Sequence, residues 1–114
     1  MSQPAVVVDH AYQLTLWILT KVEGFPRSQR PLLGDRLVST SLDLLLLLVR
    51  AAYTADKEAV LEAANLETNA LRFLLRLAKD RKLLSLDSHA FAAGQCDEVG
   101  RMVGGWRKQV AGRR

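Results

Sequence analysis

Residues 25–53 read FPRSQRPLLGDRLVSTSLDLLLLLVRAAY, and this stretch decides the fold. It opens with a proline and two arginines and then runs on as one apolar helix. Within that helix Arg36, Ser39, Thr40, Asp43 and Arg50 recur at steps of three, four and seven, which places them on one narrow stripe. Leu47 interrupts the stripe, and nearly everything else from Leu37 to Tyr53 is apolar. A helix on the outside of a small monomer needs an apolar face of only about a third of its circumference. The excess predicts either a place at the centre of a bundle or a face that meets another subunit.

Working outward, each flanking segment supplies one more helix. Ala11, Leu14, Ile18 and Val22 follow at helical spacing, with Tyr12, Leu16 and Leu19 widening the face, and Asp9 stands where an N-cap belongs. The preceding residues, 1 to about 8, read as a frayed arm. Gly24 and Pro26 end this first helix. Ser28 reads as the cap of the second, with Pro31 in its first turn. Asp56 can cap a third helix, whose apolar face is Val60, Leu61, Ala64, Leu71, Leu74, Leu75 and Ala78, widened by Leu66, Phe73 and Leu77. Asp87 or Ser88 can cap a fourth, in which Ala92, Cys96, Val99, Val103, Trp106 and Val110 form a bundle seam. Gly94, Gly100, Gly104 and Gly105 also fall in that helix, and the spacing predicts close approach of another backbone there. The tail from about Gly112 reads as disordered.

The expected architecture is therefore all-α: an up-down-up-down four-helix bundle over a single domain, residues 1–114, with helices at roughly 9–23, 29–54, 57–82 and 88–111. Its 114 residues suit one domain with one core. Leu and Ala dominate and Ile is nearly absent, which favours helix over strand. The lone Cys96 cannot form an internal disulfide, so nothing points to an oxidising compartment. No segment reads as a signal peptide or a membrane span, and the chain reads as cytoplasmic.

No catalytic constellation emerges. His10 and His89 lack a partner at metal-ligand spacing, and Asp97 and Glu98, being adjacent, point apart on a helix. No catalytic residue, metal site or cofactor is expected. Asp43 most simply pairs with Arg36 or Arg50 along its own helix. The functional signal is basic. The net charge is +4, and an antiparallel bundle gathers Arg27, Arg30, Lys79, Arg81 and Lys82 at one end. Arg72, Arg76 and Lys79 share a face of the third helix, and Arg107 and Lys108 lie late in the fourth. Such residues suit phosphate contacts without base specificity. Replacing Arg72 and Arg76 by Glu is then expected to abolish binding without unfolding. Trp17 and Trp106 fall in apolar registers that predict core packing rather than base stacking.

Four segments taken together, Leu14 to Val22, FPRSQRPLLGDRL (25–37), LRFLLRLAKDRKLLS (71–85) and DEVGRMVGGWRK (97–108), resemble the accessory variability determinant family of diversity-generating retroelements. That family is similar in turn to the four-helix-bundle proteins encoded in ribosomal-RNA intervening sequences. The resemblance implies a non-enzymatic, basic protein that assembles as a pentameric barrel. It implies binding of nucleic acid, as template RNA or cDNA, and of the element's reverse transcriptase, in support of mutagenic cDNA synthesis and retrohoming. The basic positions that carry over are Arg27, Arg30, Arg36, Arg72, Arg76, Arg101 and Arg107. Pro31, where relatives often carry a bulky apolar residue, and the acidic first half of the third helix depart from the pattern. The alternative is an intervening-sequence-type bundle, a structural or RNA-associated module without a polymerase partner.

Overall fold

A computed structural model of the chain describes residues 3–113. Four α-helices account for nearly all of it: α1 (Gln3–Glu23), α2 (Asp35–Tyr53), α3 (Lys57–Asp80) and α4 (Leu86–Ala111). A π-helical turn, Arg30–Gly34, leads directly into α2. No strand occurs among the described residues. Each helix packs on its two sequence neighbours and α4 closes back on α1, while the diagonal pairs barely touch. The result is a square, antiparallel bundle, 48 × 23 × 22 Å and two helices wide in each cross-direction. Among the described residues no helix is long and apolar enough to cross a membrane.

One core runs the length of the bundle. Val7, Leu14 and Ile18 of α1 meet Leu37, Leu44 and Leu48 of α2, Leu61, Leu71 and Leu75 of α3, and Cys96, Val99 and Val103 of α4. The seam expected in α4 is buried from Ala92 to Trp106, with Met102 added and Val110 half-buried. Small hydroxyls fill the gaps and satisfy themselves locally. Thr15 and Thr68 each donate to the carbonyl one turn back, Ala11 and Ala64, both at 2.8 Å.

The helix ends differ from expectation in ways the chemistry explains. α1 begins at Gln3, not near Asp9, so residues 3–8 are helix rather than an arm; Met1 and Ser2 lie outside the described residues. Pro4 is harmless in a first turn, and Val7, fully buried, holds that turn on the core. The second helix does not start at a Ser28 cap. Its entry is the π turn, capped at Gln29 with no side-chain hydrogen bond, in which the Gly34 N–H donates to the Gln29 carbonyl at 3.1 Å. Gly34 is buried there, and a Cβ on it would stand 2.9 Å from Val22 Cγ1. Close approach to α1 therefore requires glycine at that position.

Asp56 makes no side-chain cap to α3. α3 ends at Asp80 rather than 82, and Lys82 turns the chain with φ 62, a left-handed conformation uncommon outside glycine. The cap of α4 is Ser85, whose Oγ accepts from the Ser88 N–H at 3.0 Å, so the helix starts two residues earlier than expected. Gly112 and Arg113 continue in hydrogen-bonded turns rather than as a loose tail; Arg114 lies outside the described residues.

The main departure concerns the widened apolar faces. Tyr12, Leu16 and Leu19 on α1 and Leu66, Phe73 and Leu77 on α3 do not enlarge the core. They are exposed, Phe73 at 69% and Leu66 at 61%. α2 adds Leu42, Leu46 and Tyr53 on its outward side. Its excess apolar surface thus faces outward at one corner of the bundle, flanked by the exposed residues of α1 and α3.

Candidate nucleic-acid interface

The antiparallel packing brings the α1–α2 connection and the α3–α4 connection to the same end of the rod. Arg27 and Arg30 come from the first, Arg81 and Lys82 from the second, and Lys79 and Arg76 stand one and two turns back along α3. Glu23, Asp35, Asp80 and Asp87 lie at the same end, so the basic cluster is interleaved with carboxylates rather than uniform. Arg107 and Lys108 sit at the opposite end, in a cleft shared with Glu58 and Gly104. The eleven basic residues singled out from sequence therefore do not form one surface.

They also divide by what they already touch. Arg30 completes the end of α1: its Nη2 donates to the Glu23 carbonyl at 2.7 Å and its Nε to the Phe25 carbonyl at 3.1 Å. It supplies donors that the last turn of α1 otherwise lacks. Lys79 lies 3.7 Å from the Asp80 carboxylate. Arg101 is hydrogen-bonded to Glu98 one turn away, and that bond holds the Glu98 carboxyl below its ordinary range and raises the Arg101 guanidinium.

Arg72 is the most committed. Nη1 donates to Asn69 Oδ1 at 2.7 Å, and Nη2 reaches the Cys96 carbonyl at 3.4 Å and the Asp97 carboxylate at 3.3 Å. Its buried Nε has no partner. A Cβ on Gly100 would stand 2.7 Å from Nη2. Gly100 is thus the seat of a guanidinium that crosses from α3 to α4, not a landing for another backbone. Gly94 and Gly104 have open space where a Cβ would go. Arg72 is a bundle latch, so exchanging it for Glu would also break contacts that join α3 to α4.

That leaves Arg27, Arg36, Arg76, Arg81, Lys82, Arg107 and Lys108 as exposed cations with no ion pair or hydrogen bond among the described residues. Arg76, Arg81, Lys82 and Arg27 concentrate toward one end and are the side chains free to meet phosphate. Asp43 pairs with neither Arg36 nor Arg50. Seven residues, about 10 Å of helix, separate it from each, and all three remain exposed along the α2–α3 groove.

Two features are not legible in the sequence. Lys57 donates to the Ala51 and Thr54 carbonyls at 2.7 and 2.9 Å, closing the end of α2, and its ammonium lies 5.9 Å from the Trp106 ring centroid. Trp17 is only half-buried; it packs against Phe91, centroids 5.5 Å apart, with Lys21 above it at 5.4 Å. Trp106 is buried as expected. Cys96 is buried too, and burial pushes its thiol up to about 12, so no reactive thiolate forms near neutrality. No group of three or more metal-ligating side chains occurs among the described residues.

A family model described as bAvd-like matches residues 5–110, nearly the whole of the bundle. No curated protein matches the chain.

Proposed function

The chain belongs to the bAvd-like family, and from that premise we propose that it is the non-enzymatic accessory protein of a diversity-generating retroelement. It binds the element's template RNA or cDNA and its reverse transcriptase, and supports mutagenic cDNA synthesis and retrohoming. It acts as a homo-oligomer, a pentameric barrel, in which the outward apolar corner around α2 is covered by neighbouring copies. The observation that carries this reading is the match over residues 5–110, which includes both the FPRSQR and the EVGRM segments. The basic residues supply the binding chemistry. Arg27, Arg76, Arg81 and Lys82 hold no internal partner among the described residues and are exposed at one end. Phosphate contacts made by such side chains release counterions and carry no base specificity.

The test is light scattering at two salt concentrations, with and without template RNA, followed by capture of the reverse transcriptase on immobilised protein. A multimeric protein whose RNA affinity falls steeply with salt is the expected result. Replacing Arg76, Arg81 and Lys82 by Ala should weaken binding and reduce the salt slope by about two to three. A monomer that ignores both RNA and polymerase would refute the reading.

A further inference from the structure

The outer side of α1 carries Asp9, Tyr12, Leu16, Leu19 and Glu23 at alternating steps of three and four. This is a heptad seam with an acid at each end and three bulky residues between. All five are exposed, and neither carboxylate has an ion pair among the described residues. Around the corner, α2 presents Arg36, Ser39, Asp43, Leu46 and Arg50 at the same steps. They form one bank of a groove whose other bank on α3 is Ala63, Glu67, Ala70 and Phe73. Small Ser39, Ala63 and Ala70 leave that groove open, as two adjoining clefts of about 300 and 400 Å³. One face has three apolar knobs between acids; the other has room between two terminal bases, with Asp43 and Glu67 facing each other midway.

The spacing matches as well as the sign. Asp9 and Glu23 are fourteen residues apart, and so are Arg36 and Arg50, about 21 Å on each helix. Their heights along the bundle also match. Thr15 Oγ1 reaches the Ser41 carbonyl at 3.4 Å, which sets α1 against α2 within the chain. Counting away from that contact on antiparallel helices, Asp9 is level with residue 47 and Glu23 with residue 33. Arg50 and Arg36 each lie three residues further on, about 4.5 Å, an offset an extended arginine side chain covers and the same at both ends. A rotation about an axis parallel to the bundle leaves every height unchanged. It therefore brings Asp9 of one copy opposite Arg50 of the next, and Glu23 opposite Arg36, together.

We propose that a second copy of this chain seats its α1 seam in the α2–α3 groove, in a register set by Asp9–Arg50 and Glu23–Arg36 ion pairs. The inference rests on the oligomeric reading above and adds the two faces and their register. Asp43, level with residue 13 of the incoming seam, meets the hydroxyl of Tyr12, the one donor that seam carries there. Because the two faces differ, the contact is heterologous; because they are adjacent sides of a square bundle, repetition turns a corner each time and closes a small ring. α2 then points toward the ring axis, and α4, with Arg101 and Lys108, faces outward.

The experiment is sedimentation velocity over a concentration series at low and physiological salt, with helicity checked by circular dichroism. Three variants are compared with the parent: Arg36→Glu with Arg50→Glu, Asp9→Lys with Glu23→Lys, and all four together. Each pair of reversals should raise the concentration for half-assembly by about tenfold or more, and the fourfold variant should recover to within about threefold of the parent, because interfacial charge pairs couple strongly when close. A parent that assembles while both pairs behave like it overturns this register and leaves the oligomeric reading standing. Loss in both pairs with no recovery in the fourfold variant overturns it equally. A parent that remains monomeric overturns both.

Discussion

Gly94 and Gly104 offer the sharpest test of what α4 packs against. Each stands within a long helix with nothing within 4 Å of the position a Cβ would take. Alanine is favoured over glycine by about 1 kcal/mol in a helix interior, because less backbone freedom is lost on folding. Unfolding entropy near 60 °C is about 2.1 cal/mol/K per residue, or ~0.24 kcal/mol/K for a chain of this length. Gly94→Ala and Gly104→Ala should therefore each raise Tm by about 4 °C, and the double variant by about 8 °C. Gly100→Ala has the same backbone gain but forces Arg72 Nη2 from its seat, 2.7 Å from the new Cβ. That gives up a half-exposed pair with Asp97 and a long bond to the Cys96 carbonyl. Such contacts are worth roughly the amount gained, so its Tm should barely move. Calorimetry at one fixed protein concentration measures all three, since association would otherwise shift Tm by mass action. A fall in Tm for Gly104→Ala would refute the reasoning and restore the idea of a second backbone against α4.

Arg72 and Arg76 should separate on substitution by alanine. Arg72→Ala should cost about 1 kcal/mol in urea unfolding, because it unpairs Asp97 on α4 and Asn69 on α3. Arg76→Ala should stay within about 0.5 kcal/mol while lowering the salt slope of RNA binding by about one. Equal effects in both assays would contradict the division between latch and free cation. Cys96 gives a pH prediction. In the unfolded chain its thiol ionises near the ordinary 9.0, whereas burial delays ionisation in the fold to about 12. The unfolded state thus releases the proton first, and stability present below pH 9 should decline as pH rises from 9 toward 12. Cys96→Ala should flatten that decline, and native alkylation at pH 8.5 should be slow until denaturant is added.

The bundle was legible because its core obeys one period. Leu14, Ile18, Leu44, Leu48, Leu61, Leu71, Leu75, Val99 and Val103 all fall on helical faces in the sequence and all are buried. Periodicity alone does not separate a residue facing the core from one facing outward beside it. Tyr12, Leu16, Leu19, Leu66, Phe73 and Leu77 widen the same periodic faces in the sequence and are exposed. The basic site was legible only as a set of charges. Arg72 and Arg76 are indistinguishable by spacing, and what divides them is a glycine twenty-four residues or more away in sequence that makes room for one guanidinium. The capping role of Lys57 was hidden for a related reason: a lysine before an acidic helix start carries no mark of the carbonyls behind it. The α1 start is hidden because Asp9 reads as its cap until Val7 is seen on the core.

The two tryptophans of the chain stand near opposite ends of the rod, each with an ammonium over its ring: Lys21 above Trp17, Lys57 above Trp106. Their surroundings differ, half-exposed beside Phe91 in one case and buried in the other. Intrinsic fluorescence is therefore a two-channel signal. Trp17→Phe leaves an emitter that watches the end with Arg107 and Lys108; Trp106→Phe leaves one that watches the end where Arg27, Arg81 and Lys82 gather. A ligand approaching along the long axis announces which end it touched by which colour of emission it disturbs, with no dye attached.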